Sequence, residues 1–436
     1  MQSSVDLHEI HVDCCRKGCV EFTADRKSSS ACDVCCTPRF KADRTAAKQV
    51  VYWSLSFWLR MLLADPSIGP GMMQAVSHAR EAAAAFAPVN GLRDFFDSDI
   101  CRGLLADGTI DSNIVALLGL STDEFQAWRQ QDYQGWPIMA TILSMDARDR
   151  VRGVSQRVLC VTPGPNAPAD LESFLHPIAA QLDVLAAGIG GVTVACSDWT
   201  QVLRAYVLQY TSDMPGGDKM LNAKGHNARR PNRCRPFKGV HDGKVYRYPP
   251  VNPFTKKRLF SIHGAVLMRR TAASAWDDAV PIEAARQELK SQEVVNAIAV
   301  HSGIKGYSLF FLSSPADRQR YPHLSYMWKL GPTTLPYDPM HILCFSITPT
   351  LWPLVSGKHE VLGQSTELYI SSKKTVEAIG QEAADGRPTV PLAQVRSLRV
   401  VSVHSSSYKA VDLMCFLLSA GEAVLADRIP GEISTR

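Results

Sequence analysis

No run of about 18 uninterrupted apolar residues occurs in the chain, so the sequence predicts no membrane-spanning helix and no membrane partner. Residues 1–20 lack the apolar centre of a secretory signal. Nothing repeats as a collagen or a coiled coil does. A strong charge of one sign is missing too: 47 Lys and Arg stand against 42 Asp and Glu, a net +5. Such a balance permits a polyanionic partner without demanding one, and the placement of charge matters more than its sum. What is present is ordinary globular material, 46% apolar and 20% charged over 436 residues. A chain of that length and composition suggests two to four domains with sizeable cores. The expectation is a soluble intracellular protein whose 12 cysteines are thiols or metal ligands, not disulfides.

Half of those cysteines fall early, at Cys14, Cys15, Cys19, Cys32, Cys35 and Cys36. Taking Cys15, Cys19, Cys32 and Cys35 gives two close pairs separated by a short polar loop, a spacing that lets four thiolates surround one zinc ion tetrahedrally. The segment is too short and polar to bury a core, so metal binding would drive its folding. With all four positions filled by protein, the zinc would be structural. The doublets leave the register open, since Cys14 or Cys36 can replace a neighbour, and a polar tail with incidental thiols is the competing reading.

The remaining sequence divides by pattern. After a zinc-binding module over 1–45, residues 46–110 look helical, with VVYWSLSFWLRMLLAD amphipathic and SHAREAAAAFA strongly helix-forming. Over 111–215 come three apolar runs of strand length (NIVALLGLS, WPIMATILSM, QRVLCVTP), then a helical stretch capped at Asp170, then VTVAC and LRAYVLQYTSD as strands. Residues 216–395 begin with a basic, Pro- and Gly-rich stretch followed by helical segments and loops. Over 396–436 a mostly buried helix ends before Pro430.

Three acids stand out against this pattern. Asp123 follows the first strand, Asp213 ends a later one, and Asp412 lies among apolar residues of the last helix. A carboxylate in the last setting is costly unless paired or metal-bound. Three strands, a helix, a fourth strand and a later helix is the order of an RNase H-like core, in which acids at the first and fourth strand ends and on the later helix converge. The predicted fold class is therefore α/β: an RNase H-like mixed sheet interrupted by a long insertion, with the cysteine module and a helical segment before it. Two carboxylates about 4 Å apart repel by roughly 4 kcal/mol at an effective dielectric near 20. Two divalent ions offset that and promote phosphodiester displacement.

The chain resembles the transposases of CACTA (En/Spm-type) DNA transposons and their Kyakuja-Dileera-Zisupton relatives. The resemblance rests on CRKGCVEF, CDVC and PRF, on DFFDSDI, LGLSTDEFQAW and GWPIMATIL, and on VTPGPNAPADLESFLHPI, YTSDMP and KGHNARRPNRCRPFKGV. It continues through GIKGYSLF, PYDPMH and YKAVDLMCFLL before RIP. It implies a nuclear, cut-and-paste enzyme with a DDE/D triad, carried over to Asp123, Asp213 and Asp412, that holds Mg²⁺ or Mn²⁺. Asp338 and His341 match an Asp-x-x-His motif and would support the site. The implied partner is DNA, as transposon ends and target, with room for a homo-oligomer. The phosphate contacts would come from Lys224, Arg229, Arg230, Arg233, Arg235 and Lys238. Three departures stand out. Asn232 and Arg235 occupy a Cys-x-x-Cys pair of the relatives, Glu124 follows the first acid where they have Gly, and the chain stops soon after Asp412. These favour the alternative, a catalytically inactive, transposase-derived DNA-binding protein. A zinc-dependent interaction protein without a nucleic-acid role is the third reading, and it leaves the basic stretch unexplained.

Overall fold

The computed structural model describes residues 9–85, 94–110, 114–126, 134–197, 200–225, 228–230, 238–241, 246–247, 270–336, 338, 352–353, 356, 372–386, 399–404, 408–416, 424 and 428. The chain divides into two compact units, Met1–Pro336 and Tyr337–Arg436. The architecture is α/β, with a curled mixed sheet, helices, and a cysteine cluster near the N-terminus.

The first unit opens with an antiparallel pair, β1 (Glu9–Asp13) and β2 (Gln49–Trp53), in the register Glu9↔Trp53 to Asp13↔Gln49. The cysteine loops lie between these strands, so the ladder closes the module at its base. Arg39 Nη2 meets Asp13 Oδ2 at 2.7 Å, and its guanidinium lies over the rings of Phe22 and Phe40. The helix expected through VVYW is a strand instead. Val50, Val51, Tyr52 and Trp53 are β-branched or aromatic residues that suit a pleated surface, and β1 supplies the partner. The helix α1 (Leu55–Leu63) starts only after Ser54, whose Oγ accepts from the Phe57 N–H at 3.2 Å. Helices α2 (Gly69–Met73), α3 (Ala75–Ala84) and α4 (Asp99–Ala106) follow.

The main sheet comprises β3 (Ile114–Thr122), β4 (Phe125–Gln126), β5 (Gln134–Ile142), β6 (Gln156–Thr162), β7 (Ile189–Thr193) and β8 (Thr200–Thr211). Its order is β4–β5–β3–β8–β7, with β6 also pairing β5. Strand β3 runs antiparallel to β5 and parallel to β8. As the strand between them it is nearly all apolar, with Ile114 to Leu118 and Leu120 each 2% exposed or less. The short helix α5 (Ala147–Arg150) joins β5 to β6, and α6 (Glu172–Ala187) covers β8 with Phe174, Leu175, Ile178, Leu182 and Leu185. Asp170 does not cap α6. Leu171 holds the cap position without a side-chain bond, because the Asp170 carboxylate takes Arg26 Nη1 at 2.6 Å.

One break in the sheet follows directly from the sequence. Thr122 faces Ile138 and Phe125 faces Gly135 in a single unbroken register, which sets Asp123 opposite Pro137 and Glu124 opposite Trp136. Proline has no N–H to contribute to the ladder, so β3 ends and β4 resumes only after the two acids.

After β8 comes α7 (Met214–Met220), and the chain then turns along residues 303–305. Lys224 N–H donates to Gly303 O and Lys305 N–H to Asn222 O, at 3.0 and 2.7 Å. Helices α8 (Ala272–Gln287) and α9 (Gln292–Ser302) share a small core of their own built on Ala275, Ala279, Ile282, Val295 and Ala299. Phe310 and Phe311 enter the main core against Tyr210. Helices α10 (Pro315–Arg320) and α11 (Ser325–Leu330) complete the described part of this unit. The second unit contains α12 (Lys373–Asp385), α13 (Val401–His404) and α14 (Ala410–Cys415), around a core that includes Trp352, Ile379, Tyr408, Leu413 and Phe416.

Candidate metal centre and strand-end acids

Two tight turns present the four thiols. In the first, Gly18 N–H donates to Cys15 O at 2.8 Å and Cys15 N–H to Val20 O at 2.9 Å. In the second, Cys36 N–H donates to Cys32 O and Cys32 N–H to Thr37 O, each at 2.9 Å. The Sγ atoms of Cys15, Cys19, Cys32 and Cys35 lie within 4.8 Å of one another, with Cys15 and Cys35 3.4 Å apart. A zinc–sulfur bond near 2.3 Å corresponds to a tetrahedral edge of about 3.8 Å, so the four cysteines could hold a metal ion such as zinc. The structure also closes the register left open by the doublets: Cys14 is buried in the main core and Cys36 is exposed. Among the described residues this is the one group of three or more metal-ligating side chains with donor atoms this close.

The thiols do not ionise alike. The Thr37 hydroxyl beside Cys35 lowers that thiol to about 6. Burial, together with hydrogen bonds from the neighbouring thiols, pushes Cys19 up, and burial does the same to Cys32. One thiolate forms easily and suppresses the next by like-charge repulsion, a conflict that a bound dication removes.

The module is seated on the loop that leads into α6. Ala169 and Asp170 N–H both donate to Cys19 O, at 3.0 and 3.1 Å, and Glu21 N–H donates to Ser173 Oγ at 2.9 Å. Gly18 has φ +76, and a Cβ there would stand 2.0 Å from Pro163 O. Gly18→Ala is expected to destabilise the protein by more than the ~1–3 kcal/mol of backbone strain alone, as a lower urea midpoint at unchanged metal content. An unchanged midpoint would refute the close seating.

Beneath the cysteines Glu21 is wholly buried. Tyr52 Oη lies 2.9 Å from Glu21 Oε1 and 2.9 Å from Phe174 O. Burial raises this carboxyl to about 9, opposed only by the tyrosine hydrogen bond. A second acid, the half-buried Glu172 at the start of α6, accepts from Leu309 N–H at 2.6 Å, and desolvation of its carboxyl holds it well above the usual carboxylate range.

Asp123 and Asp213 each stand two residues beyond the β3–β8 pair Ser121↔Thr211, and so at neighbouring parallel strand ends. Asp123 is exposed and accepts from Glu124 N–H at 2.7 Å. Asp213 caps α7, its Oδ1 accepting from Gly216 N–H at 2.7 Å. A Cβ on Gly216 would meet Asp213 Oδ1 at 2.9 Å and Thr122 O at 3.2 Å, so glycine is what lets the first turn of α7 approach the end of β3. Asp412 belongs to the second unit. It is 7% exposed, and its Oδ2 accepts from Lys409 N–H at 2.8 Å. Asp338 is half-buried in that unit, and His341 lies outside the described residues.

The basic stretch is partly committed to the fold. Arg230 Nη1 pairs with Asp278 Oδ1 at 3.1 Å, and buried Arg270 takes the other oxygen at 3.0 Å. Lys224 Nζ donates to Asn296 Oδ1 at 2.5 Å, and Arg229 Nη1 lies 3.3 Å from His301 Nδ1. Lys238 is exposed, and Arg233 and Arg235 lie outside the described residues.

No family model matches the chain, and no curated protein matches it. Sequence reasoning passed over Glu21, Glu172, Lys219 and Lys305. The visible signal for Glu21 was an acid set between Val20 and Phe22; Lys219 follows the YTSDMP motif closely, and Lys305 stands within GIKGYSLF.

Proposed function

We propose that this is a transposase-type DNA nuclease of the CACTA kind, with an RNase H-like core and a structural zinc module. The observation that carries the reading is the pair of acids, Asp123 and Asp213, at adjacent parallel strand ends. Sheet order adds support, since β6–β5–β3–β8 with β8 parallel to β3 is the order expected of such a core. The antiparallel β7, which precedes β8 and flanks it, is an addition to that plan. In this reading Asp123 and Asp213 would hold Mg²⁺ or Mn²⁺, with Asp412 the third acid that the resemblance implies, and such ions would supply the activation of water and of a DNA 3′-hydroxyl. Asp123 offers an exposed carboxylate, and Asp213 keeps one oxygen fixed on the α7 amide and presents the other.

The test is nicking of supercoiled DNA carrying matched transposon ends, with Mg²⁺ or Mn²⁺. Asp213→Asn is expected to lower the rate by more than about 100-fold, given that outer-shell changes alone cost 10–100-fold. Nicking that Asp213→Asn leaves untouched refutes the assignment.

One observation favours the second reading, a nuclear DNA-binding protein without activity. Asp213 and Asp412 already cap backbone N–H groups, a purely structural use of both acids. That reading predicts salt-dependent DNA binding with no nicking under either ion.

A further inference from the structure

Lys219 and Lys224, close in sequence, and the distant Lys305 come together beside the Asp213 strand end. Lys219 lies on α7, six residues after Asp213, and its Nζ stands 4.3 Å from the centroid of the Trp136 ring. Trp136 is 2% exposed, and among the described residues its indole N–H has no acceptor. By strand register Trp136 stands opposite Glu124. Lys224 and Lys305 are held close by the ladder in which Lys224 N–H bonds Gly303 O and Lys305 N–H bonds Asn222 O. All three lysines are half-buried.

This grouping is electrostatically unfavourable by itself. Burial lowers Lys219, and the charge of Lys305 lowers it further, with Glu124 opposing. Burial and then Lys224 lower Lys305, with Asp218 and Asp170 opposing. Asp170 is already bound to Arg26. The lysine ion pairs among the described residues are Lys290–Glu288 and Lys373–Glu377, so among these residues none of the three ammoniums has a carboxylate at ion-pair distance. Half-buried like charges crowded together in this way favour an anionic ligand, and lysine ammoniums act on phosphate as compact point charges.

We propose that Lys219, Lys224 and Lys305 form one phosphate-binding cluster beside the Asp213 strand end, and that its ligand is the phosphodiester backbone of DNA. The choice of DNA rests on the nuclease reading above. The cluster differs from the Lys224–Lys238 stretch in that two of its three members lie outside that stretch, while Arg230 within the stretch is neutralised by Asp278.

The test is anisotropy of a fluorescent mixed-sequence duplex titrated with salt, using the full chain without added divalent ions. Each neutralised phosphate contact contributes about 0.9 to the slope of log K against log salt. Lys219→Gln and Lys305→Gln are each expected to weaken binding several-fold and reduce the slope by about 1, and the double variant by about 2. Lys305→Arg, which keeps charge at a half-buried position, is expected to restore both and so to separate loss of charge from loss of fold. Inorganic tripolyphosphate should displace the duplex where hexaglutamate does not. Unchanged slopes in both Gln variants overturn the proposal, and equal displacement by hexaglutamate overturns the phosphate assignment. If the protein binds in this way yet never nicks DNA, the nuclease reading fails and the cluster stands. If it nicks DNA and both Gln variants bind as the parent does, the cluster fails alone.

Discussion

Replacing Cys32 with serine is expected to release one zinc ion per chain and to unfold the segment between β1 and β2. The reason is the size of what remains. The local core contains Cys15, Val20, Phe22 and Cys32, with Cys19 and Cys35 packed against it, so two apolar side chains are all that is left once the thiols stop converging. Structural zinc contributes about 10–16 kcal/mol of apparent binding energy at pH 7 in small modules, far more than two side chains bury. The loss should reach past the module, because Cys19 O receives two amides from the loop before α6 and Arg26 holds Asp170. Atomic spectrometry should give one zinc in the parent and none in Cys32→Ser. Trypsin should then cut the variant at Arg16, Lys17, Arg26 or Lys27, sites slow to cleave in the parent. A parent protein free of metal, or a variant with equal melting temperature and protease resistance, would overturn this. Red, iron-loaded protein would keep the site but change the metal. The same experiment on Cys36→Ser, an exposed thiol, should leave the metal in place.

Strands β3, β5, β6 and β8 were legible because burial on both faces makes β3 a continuous apolar run, and β5, β6 and β8 are apolar segments bounded by turns; β7 lies at Ile189–Thr193, before most of the expected VTVAC strand, and the short β4 was not expected. Residues 49–53 were not legible as a strand. Their β-branched and aromatic residues continue smoothly into α1, and only pairing with β1, some forty residues earlier, decides their state. The gap that exposes Asp123 and Glu124 depends on Pro137 across the ladder, which periodicity along one strand cannot register. In the cysteine doublets, adjacent residues point opposite ways: Cys14 inward to the main core, Cys15 to its partners. Composition is the same for either choice. The lysine cluster escaped notice for a related reason, since Lys219 and Lys305 become neighbours only through the Asn222–Lys305 ladder.

Glu21→Gln is expected to stabilise the protein at neutral pH, with a gain that grows with pH. The hydrogen bonding gives the protonation state. Tyr52 has one hydroxyl proton, and Phe174 O, which can only accept, lies 2.9 Å away. The tyrosine proton can go to either oxygen, but both contacts are satisfied together only when a protonated carboxyl donates to Tyr52 Oη while the tyrosine donates to Phe174 O. The other carboxyl oxygen has no partner among the described residues, a poor setting for an anion. The carboxyl rises from 4.5 to about 9 through burial, and four thiolates on a zinc ion, net negative, would act in the same direction. Between these values the folded state binds a proton that the unfolded state has lost, so stability falls as pH rises across the window and levels off above about 9. At 1.36 kcal/mol per unit the cost at pH 7 is about 3 kcal/mol. An amide at this position cannot ionise, and its N–H₂ can donate to Tyr52 as the protonated acid does. Urea denaturation of zinc-loaded parent and Glu21→Gln should therefore differ by only about 1 kcal/mol near pH 5 and by about 3 kcal/mol at pH 7. A difference that stays flat from pH 5 to pH 8 would mean that Glu21 is ionised in the folded protein, and that the tyrosine proton points to the carboxylate instead of the Phe174 carbonyl.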